Sequence, residues 1–251
     1  MSLPDTPWRG GIIAAGLGER LRAGGWTGSK AMLPVAGRPL IDHALDRFAA
    51  AGVDRVCVLL NDSSPDARAH LRRRAGIDLV VRSTPSSFAS FMLMAARLGD
   101  GPAAVTTVDA IMPDDVLRAF LGAAAALPHG ALALGVTTHV DDEKPLWATL
   151  TAGDRVVDLG AAAGSHVTAG LYAWTGPLPR TGGHDRLRDY LRALVLAGYP
   201  VFGVALPTVL DVDRFADVTA AERIMGNGRG WTLDAGAGDL SRAASLARPG
   251  R

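Results

Sequence analysis

The chain has 251 residues, of which 48% are hydrophobic and 20% are charged, and its formal net charge is +1. This length fits one large α/β domain or two small ones, and the hydrophobic content suffices for a sizeable core and argues against disorder. A net charge so close to zero creates no strong field for nucleic acid or acidic membranes, so neither is predicted as a partner.

The cysteine and histidine content excludes several classes of site. A single cysteine, Cys57, rules out a disulfide framework within the chain and indicates a packed, reduced thiol. The six histidines are never three or four residues apart, and no G-x-S-x-G occurs, so a histidine zinc site and a serine hydrolase lack support. No signal peptide and no apolar run of roughly 18 residues is visible, which predicts a cytoplasmic protein.

The first segment with chemical character is a glycine turn after an apolar run over residues 11–15. Gly16-Leu17-Gly18 follows this predicted strand, and the cations Arg20 and Lys30 lie downstream of it. Glycines let a backbone approach a ligand closely, and exposed N–H groups beside two cations suit a polyanion such as a triphosphate. By itself, however, a G-x-G sequence is more typical of an ordinary strand-to-helix turn.

Two common phosphate motifs do not match this turn. A Walker loop would continue with lysine after the second glycine, whereas Glu19 follows here. A dinucleotide fingerprint would have its third glycine at the position of Leu21. The segment therefore predicts an anion-binding loop of another kind.

Strand and helix patterns alternate over the first half of the chain. The predicted strands cover residues 11–15, 55–61, 79–81, 103–108 and 131–137. The predicted helices cover residues 40–51, 66–75, 88–98 and 113–121. Successive βα units of this kind predict a three-layer α/β fold with a mainly parallel, doubly wound, Rossmann-like sheet and ligands at the carboxyl ends of its strands.

The pattern changes after about residue 140. Alternation over residues 146–159 around Gly153 and Asp154 predicts a hairpin. Further strands are predicted at residues 167–174 and 200–206, and further helices at residues 185–197 and 215–225. We interpret this region as a small β-rich insertion within one domain, residues 1–225, followed by a tail, residues 226–251, with a short helix near residues 239–247.

Three aspartates follow predicted strands and are candidate metal ligands. Asp109 follows the strand at residues 103–108, and Asp211 and Asp213 follow the strand at residues 200–206. Carboxyl ends of parallel strands share one edge of the sheet, and Mg²⁺ prefers one or two carboxylates together with phosphate oxygens. The alternative is that these residues cap helices or occupy loops. Taken together with the glycine loop, they predict Mg²⁺-dependent phosphoryl or nucleotidyl transfer.

Two segments, a fixed distance apart, match a known signature. They are Ala14-Ala15-Gly16-Leu17-Gly18-Glu19-Arg20-Leu21 and Lys30-Ala31-Met32-Leu33-Pro34-Val35-Ala36-Gly37-Arg38-Pro39-Leu40-Ile41. They closely resemble the signature of the sugar-phosphate nucleotidyltransferase superfamily, which includes relatives that act on other phosphorylated acceptors and the molybdopterin-type guanylyltransferases. The resemblance spans roughly residues 9–225.

The resemblance implies an activity and a role for each matching position. The chain would transfer a nucleoside monophosphate from an NTP to a small phosphorylated acceptor, with a sugar 1-phosphate as the leading choice, and would release pyrophosphate. Arg20 and Lys30 would be catalytic, and Asp109 with Asp211 or Asp213 would bind Mg²⁺. The implied nucleotide-binding residues are Ala14, Ala15, Gly16, Leu17, Gly18, Ser86 and Ser87. The implied acceptor-binding portion is about residues 140–186, with Thr168, Ala169, Gly170 and His166 as contacts.

Departures from the family pattern leave the substrates open. Ser86 and Ser87 stand where a glycine usually opens the helix that contacts the base, and no Glu-Lys pair precedes the acceptor strand at residues 158–165. The candidates for holding the acceptor phosphate are Arg180, Arg186, His166 and Lys144. Alternatives are a cytidylyl- or other nucleotidyltransferase acting on a non-sugar phosphate or phosphonate, and a degenerate nucleotide-binding subunit without turnover. The oligomeric state stays open, with a homo-oligomer as one alternative.

Overall fold

The structure is a computed structural model that describes residues 7–140, 144–180 and 182–226. The predicted helix at residues 239–247 and nearly all of the predicted tail lie outside the described residues. None of the described helices is both long enough and apolar enough to cross a membrane.

The strands follow the predicted pattern with small shifts at their ends. In chain order they are β1 (Arg9–Ala14), β2 (Pro34–Val35), β3 (Arg38–Pro39), β4 (Val56–Leu60), β5 (Ile77–Val81), β6 (Ala103–Thr107), β7 (Ala110–Ile111), β8 (Leu132–Thr137), β9 (Trp147–Leu150), β10 (Val156–Leu159), β11 (His166–Trp174), β12 (Val201–Ala205) and β13 (Leu210–Asp211). The short strands β2, β3, β7 and β13 were not predicted from the sequence.

The helices also agree with the sequence pattern. They are α1 (Glu19–Ala23), α2 (Leu40–Ala50), α3 (Pro65–Leu71), α4 (Ser87–Leu98), α5 (Val116–Ala125), α6 (Leu187–Leu196) and α7 (Phe215–Gly226). The exception is α1, which was not predicted, and three boundaries of the predicted helices were wrong by more than two residues. The helix expected to reach residue 75 ends at Leu71, and the helix expected over residues 113–121 covers Val116–Ala125.

A mainly parallel sheet forms the middle of the domain, as predicted. Its central order is β5-β4-β1-β6-β11-β8-β12. β1 runs parallel to β4 and β6, β4 to β5, and β8 to β12, whereas β11 runs antiparallel to both β6 and β8. The predicted hairpin, β9 and β10, pairs with the start of β11. β11 was expected in the β-rich insertion, and the structure makes it a strand of the main sheet.

Hydrophobic clusters on both faces of the sheet make the fold three-layered. One cluster contains α2 and α5, with Phe48 and Phe120 fully buried. The other contains α4 and α6, with Phe91 and Tyr190 fully buried. The sheet is therefore covered on both sides, which leaves its strand ends as the place where a polar site can form.

Glycines in β1 allow both layers to approach the sheet closely. A Cβ atom at Gly10 would lie 2.8 Å from Phe48 Cδ1, and one at Gly11 would lie 2.8 Å from Met94 Cγ. Both distances are shorter than real Cβ contacts. Any side chain at these positions would push α2 or α4 away from the strand that leads into the glycine loop.

Candidate active site

The short antiparallel pair β7–β13 brings the three predicted aspartates together. Asp211 lies opposite Ala110 in this pair, and the Val212 N–H donates to the Asp109 carbonyl at 3.1 Å. Asp109, which directly precedes β7, is thus held beside the segment that contains Asp211 and Asp213. The sequence placed these residues at one sheet edge, and the strand pair is the tertiary feature that joins them.

Lys30 connects two of these aspartates. Its Nζ donates hydrogen bonds to Asp109 Oδ2 and to Asp213 Oδ1, and its side chain is only 8% exposed. Arg20 Nη1 donates to the other carboxylate oxygen of Asp213, at 2.9 Å. The structure therefore joins both predicted catalytic cations to the predicted metal-binding residues in one charged network.

The electrostatics of this network keep its central groups ionised. Burial by itself would lower the pKa of Lys30, but the charges and hydrogen bonds of Asp109 and Asp213 raise it above its ordinary value. Burial would raise the pKa of Asp109, but the charge and hydrogen bond of Lys30, with a hydrogen bond from Thr107, hold it below its ordinary value. The arrangement is suited to neutralising charge on a ligand rather than to moving protons.

The predicted glycine loop lies next to this network. Gly18 has φ = +62°, and a Cβ atom there would lie 3.2 Å from Lys30 Cβ. Glycine is required here both for the left-handed backbone and for the close approach of Lys30. Gly16 and Leu17 are exposed, so this part of the loop is open to a ligand.

Two polar residues that the sequence analysis missed hold the loop and Lys30 in place. Asn61, 3% exposed, donates from Nδ2 to the Ala15 carbonyl at 3.0 Å. Asp66 accepts the Ser29 N–H at 2.8 Å, directly before Lys30. Asn61 follows a buried strand at the same sheet edge as Asp109, and this position was the signal that could have identified it.

A cleft of about 340 Å³ adjoins the charged network. It is lined by Arg20 and by the predicted metal ligands Asp109, Asp211 and Asp213. Of the predicted acceptor contacts, Thr168, Ala169 and Gly170 also line it. The glycine loop and Lys30 are outside this lining; Gly16 and Leu17 form an open surface, whereas Lys30 is buried next to the loop.

A bulge in β11 shapes the wall of this cleft. The register of β11 on β8 shifts between Thr168 and Tyr172, and Gly170 has φ = +64°. A Cβ atom at Gly170 would lie 2.8 Å from Thr107 Oγ1 and 3.8 Å from Asp211 Oδ1. A glycine at this bulge therefore allows β11 to lie directly against Thr107 and close to Asp211.

Arginines from two helices add positive charge to the cleft lining. Arg186 and Arg188, at the start of α6, and Arg214, before α7, line it. Arg188 Nη2 donates to the Lys144 carbonyl at 3.0 Å, and Arg186 is paired with Asp189 through two bonds of 2.8 and 3.1 Å. Arg188 was not singled out in the sequence.

The structure does not bring the other phosphate-holding candidates to the cleft lining. His166 Nδ1 lies 2.9 Å from Ser165 Oγ, and the residue is outside the lining. Arg180 is 67% exposed and lies 3.9 Å from Asp100. Within the described residues, Arg186 is the one candidate of the four that lines the cleft.

The two predicted base-contacting serines have different environments. Ser86 Oγ accepts the Ala89 N–H at 3.1 Å and caps α4. Ser87 Oγ accepts the Leu187 N–H at 3.0 Å and lines the cleft. Ser87 thus joins the start of α4 to the start of α6, whereas the Ser86 hydroxyl serves the helix itself.

The carboxylates fit a metal ion that also has substrate ligands. Over residues 7–140, 144–180 and 182–226, no group of three or more His, Cys, Asp or Glu side chains is arranged to hold a metal ion. Mg²⁺ is typically bound by one or two carboxylates, with phosphate oxygens and waters completing its shell. Asp109 and its neighbours match this donor set.

Comparison with known proteins finds similarity to nucleotidyltransferases. N-acetylmuramate alpha-1-phosphate uridylyltransferase of Caulobacter vibrioides is 36% identical over 123 residues, which cover 46% of this chain and 51% of that protein. The bifunctional protein GlmU of the same organism is 33% identical over 97 residues, 39% of this chain and 20% of that protein. The chain thus spans about half or less of the length of these curated relatives.

A solved structure shows the same fold. The inositol-1-phosphate CTP transferase from T. maritima superposes with a TM-score of 0.70 at 19% identity, covering 89% of this chain and 98% of that one. The profile of the MobA-like NTP transferase domain matches residues 10–196. The resemblance drawn from the two sequence motifs is confirmed, and the chain belongs to the family of MobA-like NTP transferase domains within the nucleotidyltransferase superfamily.

Proposed function

We propose that this chain is a Mg²⁺-dependent nucleotidyltransferase that transfers NMP from an NTP to a small phosphorylated acceptor and releases pyrophosphate. The observation that supports this most directly is the buried Lys30, which contacts Asp109 and Asp213 at the base of the glycine loop. A fixed cation at this position supports the proposal, because it would lie between a loop suited to binding phosphate and carboxylates suited to binding a metal ion. We assign the reaction to one domain, residues 1–225, with the acceptor portion at about residues 140–186.

The donor nucleotide binds along the glycine loop. Backbone N–H groups of residues 14–18 contact its phosphates, and the start of α4 at Ser87 lies on the side of the base. Arg20 and Lys30 neutralise the negative charge that develops on the departing pyrophosphate. Both cations are oriented by Asp213, which accepts a hydrogen bond from each.

Asp109 and Asp211 are the proposed metal ligands. Both oxygens of Asp213 accept hydrogen bonds from Arg20 and Lys30, so we assign Asp213 to orienting these cations. We assign Asp211 as the second ligand because it lies opposite Ala110, the residue that follows Asp109. Bound Mg²⁺ would supply charge neutralisation at the donor phosphates. The bulge at Gly170 keeps the wall of the cleft close to Asp211.

The bond changes need no protein base. An oxygen of the acceptor phosphate forms a bond to the α-phosphorus of the NTP, and the bond to the pyrophosphate oxygen breaks. Because the second pKa of a phosphate monoester is about 6, the attacking oxygen is already ionised at neutral pH. The chain positions the two phosphates and neutralises charge, which agrees with the ionised state of Lys30 and Asp109.

Arg188 and Arg186 are the proposed contacts for the acceptor phosphate. They line the same cleft as Thr168 and Gly170, beside the proposed metal ligands. The names of the uridylyltransferase and of the CTP transferase both specify a 1-phosphate, which supports a phosphorylated acceptor here. A sugar 1-phosphate is the leading choice. A polyol phosphate or phosphonate with CTP is the second, since the fold matches the CTP transferase over 98% of its length.

Pyrophosphate release tests the proposal. The purified chain with Mg²⁺ should release pyrophosphate with one NTP and one member of a panel of sugar 1-phosphates, polyol phosphates and phosphonates. A chelator should abolish the release, and omission of the acceptor should reduce it to background. Absence of release with every combination would instead favour a nucleotide-binding subunit without turnover, although retention of Lys30, Arg20 and Asp109 argues against that alternative.

Arg188→Gln should raise the KM for the acceptor by about 10- to 100-fold and leave the KM for the NTP nearly unchanged. The reason is that a hydrogen bond to a charged group contributes about 1.5–3 kcal/mol. Steady-state kinetics with each substrate varied in turn would measure this. Arg192→Gln is the matched control, because Arg192 lies one turn along the same helix, is exposed and is outside the cleft lining. An unchanged acceptor KM in Arg188→Gln would exclude Arg188 from the acceptor site.

A further inference from the structure

A buried arginine lies behind the candidate active site. Arg47, on α2, is 2% exposed. Within the described residues, no carboxylate oxygen lies within salt-bridge distance of its guanidinium, and burial lowers the pKa of Arg47 to about 10. A buried cation without a paired carboxylate is costly, and an apolar side chain would fill the same space at lower cost. This residue therefore requires an explanation beyond packing.

The hydrogen bond of Arg47 indicates what that explanation is. Its Nη2 donates to the carbonyl of Ala110 at 2.9 Å. Ala110 directly follows Asp109, is fully buried and lies opposite Asp211 in the β7–β13 pair. One guanidinium from the core thus holds the backbone of the residue that follows one proposed metal ligand and lies opposite the other.

Within the described residues, the backbone around Ala110 makes few hydrogen bonds to the main sheet, while the neighbouring side chains Ile111 and Leu210 are buried in the core. β7 and β13 are two-residue strands that form a sheet of their own. The Asp109 segment is joined to the main sheet through the bond from the Val108 N–H to the Ile13 carbonyl at 3.1 Å. Arg47 connects the same segment to α2 on the other side. Since outer-shell hydrogen bonds orient the groups that bind a metal ion, the bond from Arg47 is suited to fixing the backbone position of this short strand pair.

We propose that Arg47 is a positioning residue that holds the backbone of β7 so that Asp109 and Asp211 can bind a divalent cation together. It acts through the Ala110 carbonyl and does not touch substrate. This inference rests on the metal site of the proposed function. Its removal should weaken metal binding while the fold persists.

Terbium luminescence tests this without turnover. Tb³⁺ is a hard cation that binds oxygen ligands. Tyr172 can sensitise its emission, because Tyr172 lines the cleft and the charges of Asp211 and Asp109 help to raise its pKa. In the full chain, without substrates, we expect saturable Tb³⁺ emission that Asp109→Asn removes. Arg47→Met should weaken this binding by about tenfold or more, the usual effect of losing an outer-shell partner.

Stability measurements separate positioning from a merely structural role. Methionine replaces the buried charge by an apolar group of similar length, so the melting temperature of Arg47→Met should stay close to that of the wild type. Arg118→Met is the matched control, because Arg118 also donates to a backbone carbonyl, that of Ala50 on α2, but lies outside the site. It should retain wild-type Tb³⁺ affinity. If Arg47→Met does not fold, Arg47→Lys takes its place. We then expect at least about threefold weaker Tb³⁺ binding, because the lysine side chain is shorter and its ammonium group cannot hold the carbonyl as the guanidinium does.

The outcomes distinguish this inference from the proposed function. Wild-type Tb³⁺ affinity in a folded Arg47→Met or Arg47→Lys protein would overturn the positioning role and leave nucleotidyl transfer untouched. Absence of Asp109-dependent Tb³⁺ binding in the wild type would overturn the positioning role together with the metal site, whereas nucleotidyl transfer itself is judged by pyrophosphate release. Weaker Tb³⁺ binding by Arg47→Met at an unchanged melting temperature, with wild-type binding by Arg118→Met, would establish the positioning role of Arg47.

Discussion

Replacing Lys30 with methionine should lower kcat/KM for nucleotidyl transfer by at least about a thousandfold. Lys30 is held by Asp109 and Asp213, its side chain is only 8% exposed, and no other lysine among the described residues lies in the site. Methionine keeps the length of the side chain but removes the cation that would neutralise the departing pyrophosphate. Steady-state pyrophosphate release with the preferred NTP and acceptor measures the effect.

Two further variants sharpen the Lys30 experiment. Lys30→Arg keeps the charge but must place a larger, planar group in a nearly closed site, so we expect only partial recovery of kcat. Arg97→Met removes a cation from an exposed ion pair with Asp78 on the far part of the sheet and should change kcat/KM less than twofold. A loss of less than tenfold in Lys30→Met, with a native circular dichroism spectrum, would contradict the assignment of Lys30 as catalytic.

Asp109→Asn should reduce kcat by at least about a hundredfold and raise the Mg²⁺ concentration needed for half-maximal rate. Asparagine has nearly the shape of aspartate, so the β7–β13 pair and the bond from Val212 to the Asp109 carbonyl can persist. What is lost is the charge that pairs with Lys30 and that we propose binds the Mg²⁺ ion. Rates measured across a Mg²⁺ titration give both the change in kcat and the change in the Mg²⁺ concentration needed for half-maximal rate.

Asp78→Asn is the matched control for the Asp109 experiment. Asp78, on β5, is an exposed carboxylate that forms an ion pair with Arg97 and lies away from the cleft. We expect the rate of Asp78→Asn to depend on Mg²⁺ concentration as the wild-type rate does. If Asp109→Asn turned over at the wild-type rate, Asp109 would be removed from the site and the metal-binding proposal would fail with it.

The donor half of the site could be predicted because its residues are close together in the sequence. Gly16, Gly18, Arg20 and Lys30 lie within 15 residues of one another, and only the short helix α1 separates the glycine loop from Lys30. The structure confirms the proximity, since Gly18 lies against Lys30 and both cations contact Asp213. The mainly parallel sheet could be predicted for the same reason, because the alternation of strand and helix is a local pattern.

The acceptor half could not be predicted to the same depth because its residues come from distant segments. Arg188 reaches the cleft from α6, and its partner is the carbonyl of Lys144 in another loop. His166, which the sequence favoured as an acceptor contact, lies on β11 but outside the cleft lining. Side-chain direction near a bulge depends on strand register, which periodicity does not reveal at Gly170.

By itself the sequence determined the α/β class, the glycine loop and the identity of the charged residues, since these follow from local spacing and residue chemistry. Only the tertiary structure decided how those charges combine. The β7–β13 pair joins Asp109 to Asp211, Lys30 connects Asp109 to Asp213, and Arg47 supports the pair from the core. Each of these contacts joins segments more than 60 residues apart in the chain, and such contacts arise from the packing of the layers rather than from any pattern within one segment.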